Sequence, residues 1–388
     1  MNNNKPKILF IGPTPPPFSG PELSMQQFLE SDVLNDAFSI TFLKTNFRLD
    51  NTRKGLFDFL MITNFFIYFF KLFRLLIVVR PECVYYPVTP TQIGWVGRDV
   101  WTIILSKLFG IKVIIHLRGS HFKLNFAQFY PVFKRLIAYS LKKVDTAVVQ
   151  AKYLKDQFAP YVCSKNIEVL YQSIDVHEYS TKHSFSTVKG KILVIGHLTK
   201  AKGYTDILKV IPKICKQFPY VEFYFAGNIR KGERGVFYNQ FTGEKLQYED
   251  PFLAEKEIKD SVYKTHYNNL GIITGVHKMI HLKTAQLYLS ASYSEGFSRS
   301  LLEAMAVGKP VAYTPVGAHK EVFTNKIHGF SFEPGNLNQL EETLTYMLTN
   351  SDELLTIGKA NSDYVKNNFS LDKIANDFRS IILKTLAK

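Results

Sequence analysis

Cysteine is scarce in this chain of 388 residues. The three cysteines, Cys83, Cys163 and Cys215, lie far apart and have the spacing of neither a zinc site nor a redox pair. A disulfide framework like that of small secreted domains is therefore not indicated, and a reducing cytoplasm fits best. The N-terminus passes from MNNNKPK directly into the apolar run ILFIG, without the anatomy of a signal peptide, so we expect no export signal.

Long uncharged hydrophobic runs are also missing. The most apolar stretch, residues 55–79, has eight Phe or Tyr residues between Phe57 and Phe73. Polar and charged residues, including Lys71 and Arg74, interrupt it, so that no uncharged 18-residue span remains. We therefore expect no membrane-spanning helix here but a helix that is partly core and partly basic surface.

Acidic residues are few in the first half. Residues 44–143 contain 16 Lys and Arg against four Asp and Glu, which accounts for most of the formal net charge of +15. Nucleic-acid modules such as RRM aromatics or basic heptads are missing, so we expect no nucleic-acid partner. We predict instead an anionic membrane surface as a partner, with peripheral attachment at the inner face of the plasma membrane. The alternative is that the aromatics are core and the charges simply solvated.

The chain nearly repeats its first apolar run. KILFIG at residues 7–12 returns as KILVIG at residues 191–196, and short β-rich runs alternating with helical stretches follow both copies. Further strands are predicted over 83–86, 112–116, 146–150, 221–227, 272–273, 287–291 and 310–314. Such alternation indicates parallel sheets covered by helices, and the length suits two α/β domains.

The domain boundary is predicted in the polar loop 180–190. This gives a first domain over 1–185 and a second over 186–369, with a last helix at about 370–388 that packs back on the first. Residues 228–257 interrupt the alternation, and their aromatic and polar residues around Thr242 and Gly243 predict a hairpin. We treat this stretch as an insertion of unknown purpose.

The segment SEGFSRSLLEAMAVGKP, residues 294–310, holds two glutamates. Ser300 and Glu303 have the spacing of a capping box, and Gly308 is suited to end the helix. Glu295 follows an apolar run, at the end of a strand where open α/β sheets bind ligands. In GHLTKAKGYTDIL, residues 196–208, lysines and backbone amides before a helix suit a phosphate.

These motifs resemble those of glycosyltransferase family 4 over most of the chain. The most specific part is Glu295-Gly296-Phe297 followed by Glu303-Ala304-Met305-Ala306. The other matching residues are Gly196-His197-Leu198, Lys202-Gly203, Ile273-Thr274-Gly275-Val276, Gly308 and Pro310-Val311. In the first half, Gly12 to Glu22 resembles the family's glycine loop, and His116 ends a run where the family keeps a histidine near the reacting sugar. The resemblance implies an α/β protein of the GT-B fold, with two facing Rossmann-like domains, and a retaining, metal-independent enzyme.

The resemblance also implies residue roles. Lys202 would neutralise the donor's diphosphate, Glu303 would accept hydrogen bonds from the ribose, and Glu295 would hold the donor sugar. Catalytic roles fall on His116, Lys202 and Glu295, and acceptor binding on Arg118 and His121. The donor-binding set comprises Gly20, His197, Lys202, Gly203, Val276, Glu295, Gly296, Phe297, Ser298 and Glu303, with no metal and no cofactor beyond the nucleotide sugar itself.

Three positions depart from the family pattern. The usual arginine of the phosphate clamp is His197 here, so Lys200 or Arg230 is a candidate substitute. The family's Asn-Gly-Val-Asp stands as residues 172–175, QSID, and the second glycine of the N-terminal loop is Pro21.

The sequence therefore predicts a hexosyltransferase that moves a sugar from a nucleotide diphosphate sugar to a glycan or lipid-linked acceptor. Cell-surface polysaccharide synthesis, such as that of capsule or lipopolysaccharide, is the expected setting. The alternatives are a nucleotide-sugar epimerase on the same fold, a non-enzymatic nucleic-acid-binding protein, and a glycosidase using Glu295 and Glu303.

Overall fold

A computed structural model of the chain describes residues 5–16, 20–45, 59–179, 185–231 and 237–388. It divides into two compact units, Met1–Ser173 with Leu371–Lys388, and Ile174–Ser370. The division lies before the polar loop in which we expected it, and Ile174 forms a bridge with Ser370 of the second unit. Parts of the N-terminal glycine loop, the aromatic stretch, the polar loop and the insertion lie outside the described residues: 17–19, 55–58, 180–184 and 232–236.

The first unit contains a parallel sheet whose six described strands lie in the order β2-β1-β3-β4-β5-β6. The strands are β1 (Lys7–Gly12), β2 (Ser39–Lys44), β3 (Cys83–Pro87), β4 (Lys112–Leu117), β5 (Thr146–Val149) and β6 (Ile167–Val169). Its helices are α1 (Gly20–Glu30), α2 (Asp32–Ala37), α3 (Phe59–Val78), α4 (Gln92–Gly94), α5 (Val100–Leu108), α6 (Phe122–Ala127) and α7 (Pro131–Leu141). A π-helical turn, Trp95–Asp99, joins α4 to α5.

The second unit has a parallel sheet of six described strands in the order β12-β11-β10-β7-β8-β9. They are β7 (Lys191–Ile195), β8 (Glu222–Ala226), β9 (Tyr267–Gly271), β10 (Leu287–Ser290), β11 (Val311–Tyr313) and β12 (Phe330–Ser331). The helices are α8 (Val176–Tyr179), α9 (Tyr204–Gln217), α10 (Pro251–Asp260), α11 (Gly275–Thr284), α12 (Arg299–Ala306), α13 (His319–Val322), α14 (Leu337–Thr349) and α15 (Ser351–Phe369).

The last helix, α16 (Leu371–Leu386), belongs to the first unit. Its Phe378 lies in the aromatic core of that unit, with ring centroids 5.9 Å from Phe10, 5.0 Å from Phe28 and 4.7 Å from Tyr85. Aromatic rings bury large apolar areas, so this one side chain couples the C-terminal helix to the sheet.

Most predicted strands are confirmed, but the strand predicted at Ile272 and Ile273 is wrong. The strand there is β9, residues 267–271, and Ile272 is exposed beyond its end. β9 lies at the sheet edge and carries Asn268 and Asn269, so it lacks the apolar run that marks a buried strand. The sequence analysis also did not predict strands β2, β6 and β12. The hairpin is confirmed, with an antiparallel bridge from Tyr238 to Lys245.

Residues 59–78 of the apolar stretch form the helix α3, as expected. Tyr68, Leu72 and Leu76, at helical spacing, form its buried stripe. Most of its other large apolar side chains point to solvent, with Phe66 71% and Phe70 70% exposed. Among the described residues, no helix combines the length and the apolarity needed to cross a bilayer.

Candidate active site

The strand order of the second sheet creates a crevice between β7 and β10. The chain continues from β7 to β8 on one side and from β10 to β11 on the other. In open parallel sheets, ligands bind outside the carboxyl ends of the strands at such a reversal. The two groups of residues predicted from sequence, in loops 196–203 and 291–298, both lie there.

These two loops pack against each other backbone to backbone. Gly203 has a φ of 72°, and a Cβ at this position would lie 2.2 Å from the carbonyl oxygen of Ala291. The Tyr293 N–H donates to the carbonyl of Ala201 at 2.9 Å. Both the left-handed conformation and the close approach therefore require glycine at 203. The packing fixes the loop that carries Lys202 against the loop that carries Glu295.

Lys202 and Glu295 form an ion pair at this point. Lys202 Nζ lies 2.6 Å from Glu295 Oε1, which also accepts a hydrogen bond from Ser292 Oγ at 2.8 Å. The two side chains are 29% and 13% exposed, so both can be reached from solvent. An ammonium suits a phosphate, and a carboxylate suits sugar hydroxyls, because it only accepts hydrogen bonds. An incoming anion would compete with Glu295 for Lys202.

Glu303 lies deeper, at 2% exposure. Its Oε1 accepts from Lys278 Nζ at 2.9 Å and from Arg299 Nε at 3.0 Å, and the Tyr179 side chain bonds the same carboxylate. Burial alone would raise the pKa of this carboxyl, but Lys278 and Arg299 outweigh burial and lower it. Glu303 is therefore ionised near neutral pH.

The capping box predicted for Ser300 and Glu303 is wrong. The N-cap of α12 is Ser298, whose Oγ accepts from the Leu301 N–H at 3.4 Å. Ser300 instead bonds the Tyr288 hydroxyl at 2.8 Å. Ser298 caps the helix instead, and the Glu303 carboxylate bonds the side chains of Arg299, in the first turn of α12, and Lys278, in α11.

The remaining residues of the expected donor-binding set differ in how they can act. Phe297 packs its side chain against the rings of His319, Phe323 and Phe369, so only its backbone can meet a ligand. The Gly296 carbonyl accepts from the Ala318 N–H at 2.8 Å.

Two further residues of this set lie outside the loop 291–298. Val276, in the first turn of α11, is 73% exposed, and His197 is half-buried directly after β7.

His319 was not singled out from sequence, yet it supports the loop from below. It is fully buried, its Nε2 accepts from the Ser298 N–H at 3.3 Å, and its Nδ1 lies 3.2 Å from the carbonyl of Thr314. Burial lowers its pKa to about 4. The neutral ring can then donate from Nδ1 and accept at Nε2, which matches both contacts.

The missing clamp arginine has two candidate substitutes. Lys200 is engaged by Asp206 at 2.6 Å and Glu249 at 3.0 Å, and its ammonium lies over the Tyr293 ring. Arg230 follows the bridge between Leu198 and Ile229, beside the loop that holds Lys202. Its buried Nε has no hydrogen-bond partner among the described residues. Arg230 is therefore the better substitute.

In the first unit, three polar side chains gather at the ends of β3 and β4. The Tyr85 hydroxyl lies 2.8 Å from His116 Nδ1, and Arg118 donates to the same hydroxyl at 3.3 Å. Because arginine cannot accept, the Tyr85 proton points to Nδ1, which leaves the His116 proton on Nε2. That Nε2 is buried and has no partner among the described residues, and burial lowers the pKa of His116 well below its ordinary value. His116 is thus a neutral hydrogen-bond donor.

Two other predicted residues lie near this end of the first sheet. His121 is buried just after β4, and burial lowers its pKa to about 4. Gly20 begins α1, and a Cβ there would meet no atom within 4 Å. No close approach requires glycine at this position.

Comparison with known proteins shows what the residues around this crevice resemble. Residues 175–364, which contain both of its loops, match the family model described as glycosyl transferases group 1. The chain is a glycosyltransferase.

Individual relatives agree with this assignment. An uncharacterized glycosyltransferase of Methanocaldococcus jannaschii is 22% identical over 76% of this chain and 74% of its own length. The phosphatidylinositol N-acetylglucosaminyltransferase gpi3 subunit of Schizosaccharomyces pombe is 28% identical over 41% of this chain and 30% of its own length.

The fold agrees as well. The crystal structure of Anabaena HepE in complex with UDP-glucose superposes with a TM-score of 0.73 at 16% identity, covering 97% of this chain and 99% of that one. The expected GT-B fold, with two α/β units, is confirmed.

Sequence analysis did not single out the two cations that bond Glu303 in this glycosyltransferase. Arg299 could have been found, since it lies four residues before Glu303 on one helix face. Lys278 is 25 residues from Glu303 and meets it only because α11 packs on α12. Among the described residues, no group of three His, Cys, Asp or Glu side chains could hold a metal ion.

Proposed function

We propose that this glycosyltransferase is a family 4 enzyme that moves a hexose from a nucleotide diphosphate sugar to a glycan or lipid-linked acceptor and retains the anomeric configuration. The observation that carries the proposal is the Lys202–Glu295 pair, together with the buried Glu303, at the reversal point of the second sheet. One cation and two carboxylates there match the three parts of such a donor: diphosphate, sugar and ribose.

Each residue then has a role in the reaction. Lys202 and the backbone amides of the loops stabilise the leaving diphosphate, as preorganised donors do at sites of developing charge. Glu295, with the amides of Gly296 to Ser298, holds the sugar, and Glu303 accepts from the ribose. A front-face attack fits the described residues of this site, which offer no evident base. The bond from the anomeric carbon to the diphosphate breaks, the acceptor oxygen bonds that carbon from the same face, and an oxygen of the leaving phosphate takes the acceptor's proton.

The relatives support the choice of substrates. HepE structures contain UDP and UDP-glucose, which favours a nucleotide sugar as donor. The fission yeast relative is named for transfer to phosphatidylinositol, which favours a lipid-linked acceptor in this chain too. A role in cell-surface polysaccharide synthesis, in the cytoplasm at the inner face of the membrane, would use such an acceptor.

The acceptor side of the proposal rests on the first unit. His116 offers one buried N–H, and Arg118 and His121 lie within a few residues of it. A neutral donor of this kind can bind a sugar hydroxyl without adding charge.

A helical surface of the first unit supports a membrane-bound acceptor. Helix α5 contacts both α3 and α7, and the sequences of these three helices contain no acidic residue. Their exposed large apolar side chains include Phe66, Phe70, Trp101, Leu108, Val132 and Tyr139. Exposed cations at Lys71, Arg74, Lys142 and Lys143 accompany them. An apolar face edged by cations fits an anionic lipid surface.

The deciding experiment incubates the purified protein with UDP-glucose, UDP-N-acetylglucosamine, GDP-mannose and related donors, with and without lipid-linked and glycan acceptors. We expect acceptor-dependent release of nucleoside diphosphate that persists in EDTA, because the proposal needs neither a metal nor a cofactor. A changed nucleotide sugar without an added acceptor would identify an epimerase. Cleavage of glycans without nucleotide would identify a glycosidase, and no turnover with tight nucleic-acid binding a non-enzymatic protein.

A further inference from the structure

Residues 237–250, the hairpin segment, directly precede α10 and belong to the insertion, which contains none of the family motifs. One antiparallel bridge, Tyr238 to Lys245, closes the hairpin, and the Asn239 N–H donates to the Glu244 carbonyl at 2.8 Å. A hairpin of this size is only marginally stable by itself. It must therefore owe its conformation to the part of the protein on which it lies.

That part is the loop of the candidate site. Gln240 Oε1 accepts from the Glu295 N–H at 3.1 Å and from the Gly317 N–H at 2.9 Å. The Gln240 N–H donates to the Tyr293 carbonyl at 3.0 Å. Both contacts of the side-chain oxygen are with N–H donors, so the network fixes the orientation of the amide. One residue of the hairpin thus holds the backbone on either side of Ser294.

Gly317 lies in the loop between β11 and α13, and this loop packs closely against the loop 291–298. Gly317 has a φ of 60°, and a Cβ there would lie 2.5 Å from the carbonyl oxygens of both Glu295 and Gly296. Gln240 joins the two loops where they touch. Without its oxygen, two neighbouring N–H groups would lose their acceptor.

The other end of the hairpin segment is fixed beside Lys202. Glu249 bonds Lys200 at 3.0 Å and Lys209 at 2.9 Å. Burial would raise the pKa of this carboxyl, but its polar and charged neighbours, Lys209 and Lys200 among them, lower it to about 2. The segment is therefore anchored both to the turn that carries Lys202 and to the loop that carries Glu295.

We propose that the hairpin segment is a strap that sets the position of the sugar-binding loop, and that Gln240 is the positioning residue for Glu295. This inference rests on the proposed function, in which Glu295 holds the donor sugar. The strap acts on Glu295 and the amides after it, whereas Glu303 and its two cations lie outside its hydrogen bonds. Gln240, which bonds only the loops of Glu295 and Gly317, should therefore govern affinity for the sugar of the donor, and its loss should leave affinity for the nucleoside diphosphate alone unchanged.

The first test needs no substrate. Gln240→Met keeps the length of the side chain and removes the acceptor, and Gln247→Met is the control at an exposed position of the same segment. We expect faster amide hydrogen exchange at Glu295 and Gly317 in the Gln240 variant only. Gln240→Glu retains an acceptor and should restore protection. Exchange at wild-type rates in Gln240→Met would overturn the strap.

The second test measures binding of the nucleotide sugar selected in the panel above and of its free nucleoside diphosphate by calorimetry. Gln240→Met should weaken the nucleotide sugar about tenfold, equivalent to about 1.4 kcal/mol, and leave the diphosphate unchanged. Equal losses for both ligands, or no loss for either, would refute the positioning role while the proposed function stands. If wild-type protein binds no nucleotide sugar at all, the proposed function fails, and the exchange result alone decides whether Gln240 holds the loop.

Discussion

At the scale of single residues, the charged groups of the candidate site already have protein partners. Lys202 bonds Glu295, and Glu303 lies between Lys278 and Arg299. Charges of low exposure are costly unless paired, so these pairs hold the side chains in place before a ligand arrives. A donor would therefore exchange partners with them rather than fill an empty polar pocket.

Lys202→Ala should abolish most transfer while changing stability little. The pair it breaks is partly exposed, and exposed ion pairs contribute about 0–1 kcal/mol. The lost ammonium would otherwise face a diphosphate, where a charge-assisted bond is worth roughly 1.5–3 kcal/mol. Donor-dependent turnover below saturation and the thermal midpoint are the two readouts. Wild-type turnover in the variant would exclude Lys202 from the phosphate site.

Arg230→Gln should weaken binding of the nucleoside diphosphate by about 10- to 100-fold, on the same estimate for a charge-assisted bond. The structure supports this because the buried Arg230 Nε lacks a partner among the described residues and lies beside the Lys202 loop. Lys245→Gln, an exposed position of the hairpin segment, controls for the change in net charge. Titration calorimetry measures the affinity of each variant for the nucleoside diphosphate. Equal affinity in both variants would show that Arg230 is not the second cation, besides Lys202, that binds the diphosphate.

At the scale of elements, helix α3 exposes an unusual amount of apolar surface. An ordinary amphipathic helix buries its apolar face, yet α3 buries only the stripe of Tyr68, Leu72 and Leu76 and exposes phenylalanines on other faces. Exposed apolar surface of this extent marks an interaction site. The neighbouring helices α5 and α7 extend the face and add no negative charge.

Wild-type protein should co-sediment with anionic vesicles at low salt and be released as salt rises, because screening acts over a Debye length of about 10 Å at 0.1 M. The double variant Lys71→Gln with Arg74→Gln should bind more weakly, at about 1 kcal/mol per charge. Lys245→Gln with Lys256→Gln, both exposed in the second unit, removes equal charge as the control. Failure of the wild type to bind anionic vesicles would favour a soluble acceptor.

At the scale of the whole molecule, burial of histidine links stability to pH. His319, His121 and His116 are buried in two separate units, and burial lowers the pKa of each below its ordinary value. In the unfolded chain these rings titrate near pH 6.5. The unfolded state therefore binds more protons than the folded state between the two pKa values.

We expect the free energy of unfolding to fall as the pH drops from about 6.5 to about 4. The lower limit is set by His319 and His121, because burial lowers the pKa of each to about 4. Each unit of pKa difference is worth about 1.4 kcal/mol at full protonation of the unfolded state. Urea unfolding at pH 7, 6, 5 and 4.5 measures this. His319→Gln should flatten the dependence, since its amide oxygen can still accept from Ser298 without titrating. Equal free energies of unfolding at pH 7 and pH 5 would show that the buried histidines do not link stability to pH.

The sequence by itself determined where most strands lie, that they alternate with helices, and that Lys202, Glu295 and Glu303 follow strands of the second half. These features are local, because apolar runs, glycines and prolines act within a few residues of themselves. The edge strand β9 was not predicted, since a partly solvated strand carries no continuous apolar run.

Only the tertiary structure decided which partners these residues have. Glu303 meets Lys278 across 25 residues, and Gln240 meets Gly317 across 77. Ser298, not Ser300, caps α12 because the packing of two loops sets where the helix begins. Such contacts depend on strand order and loop packing, which arise from the whole core, and the local pattern of residues does not encode them.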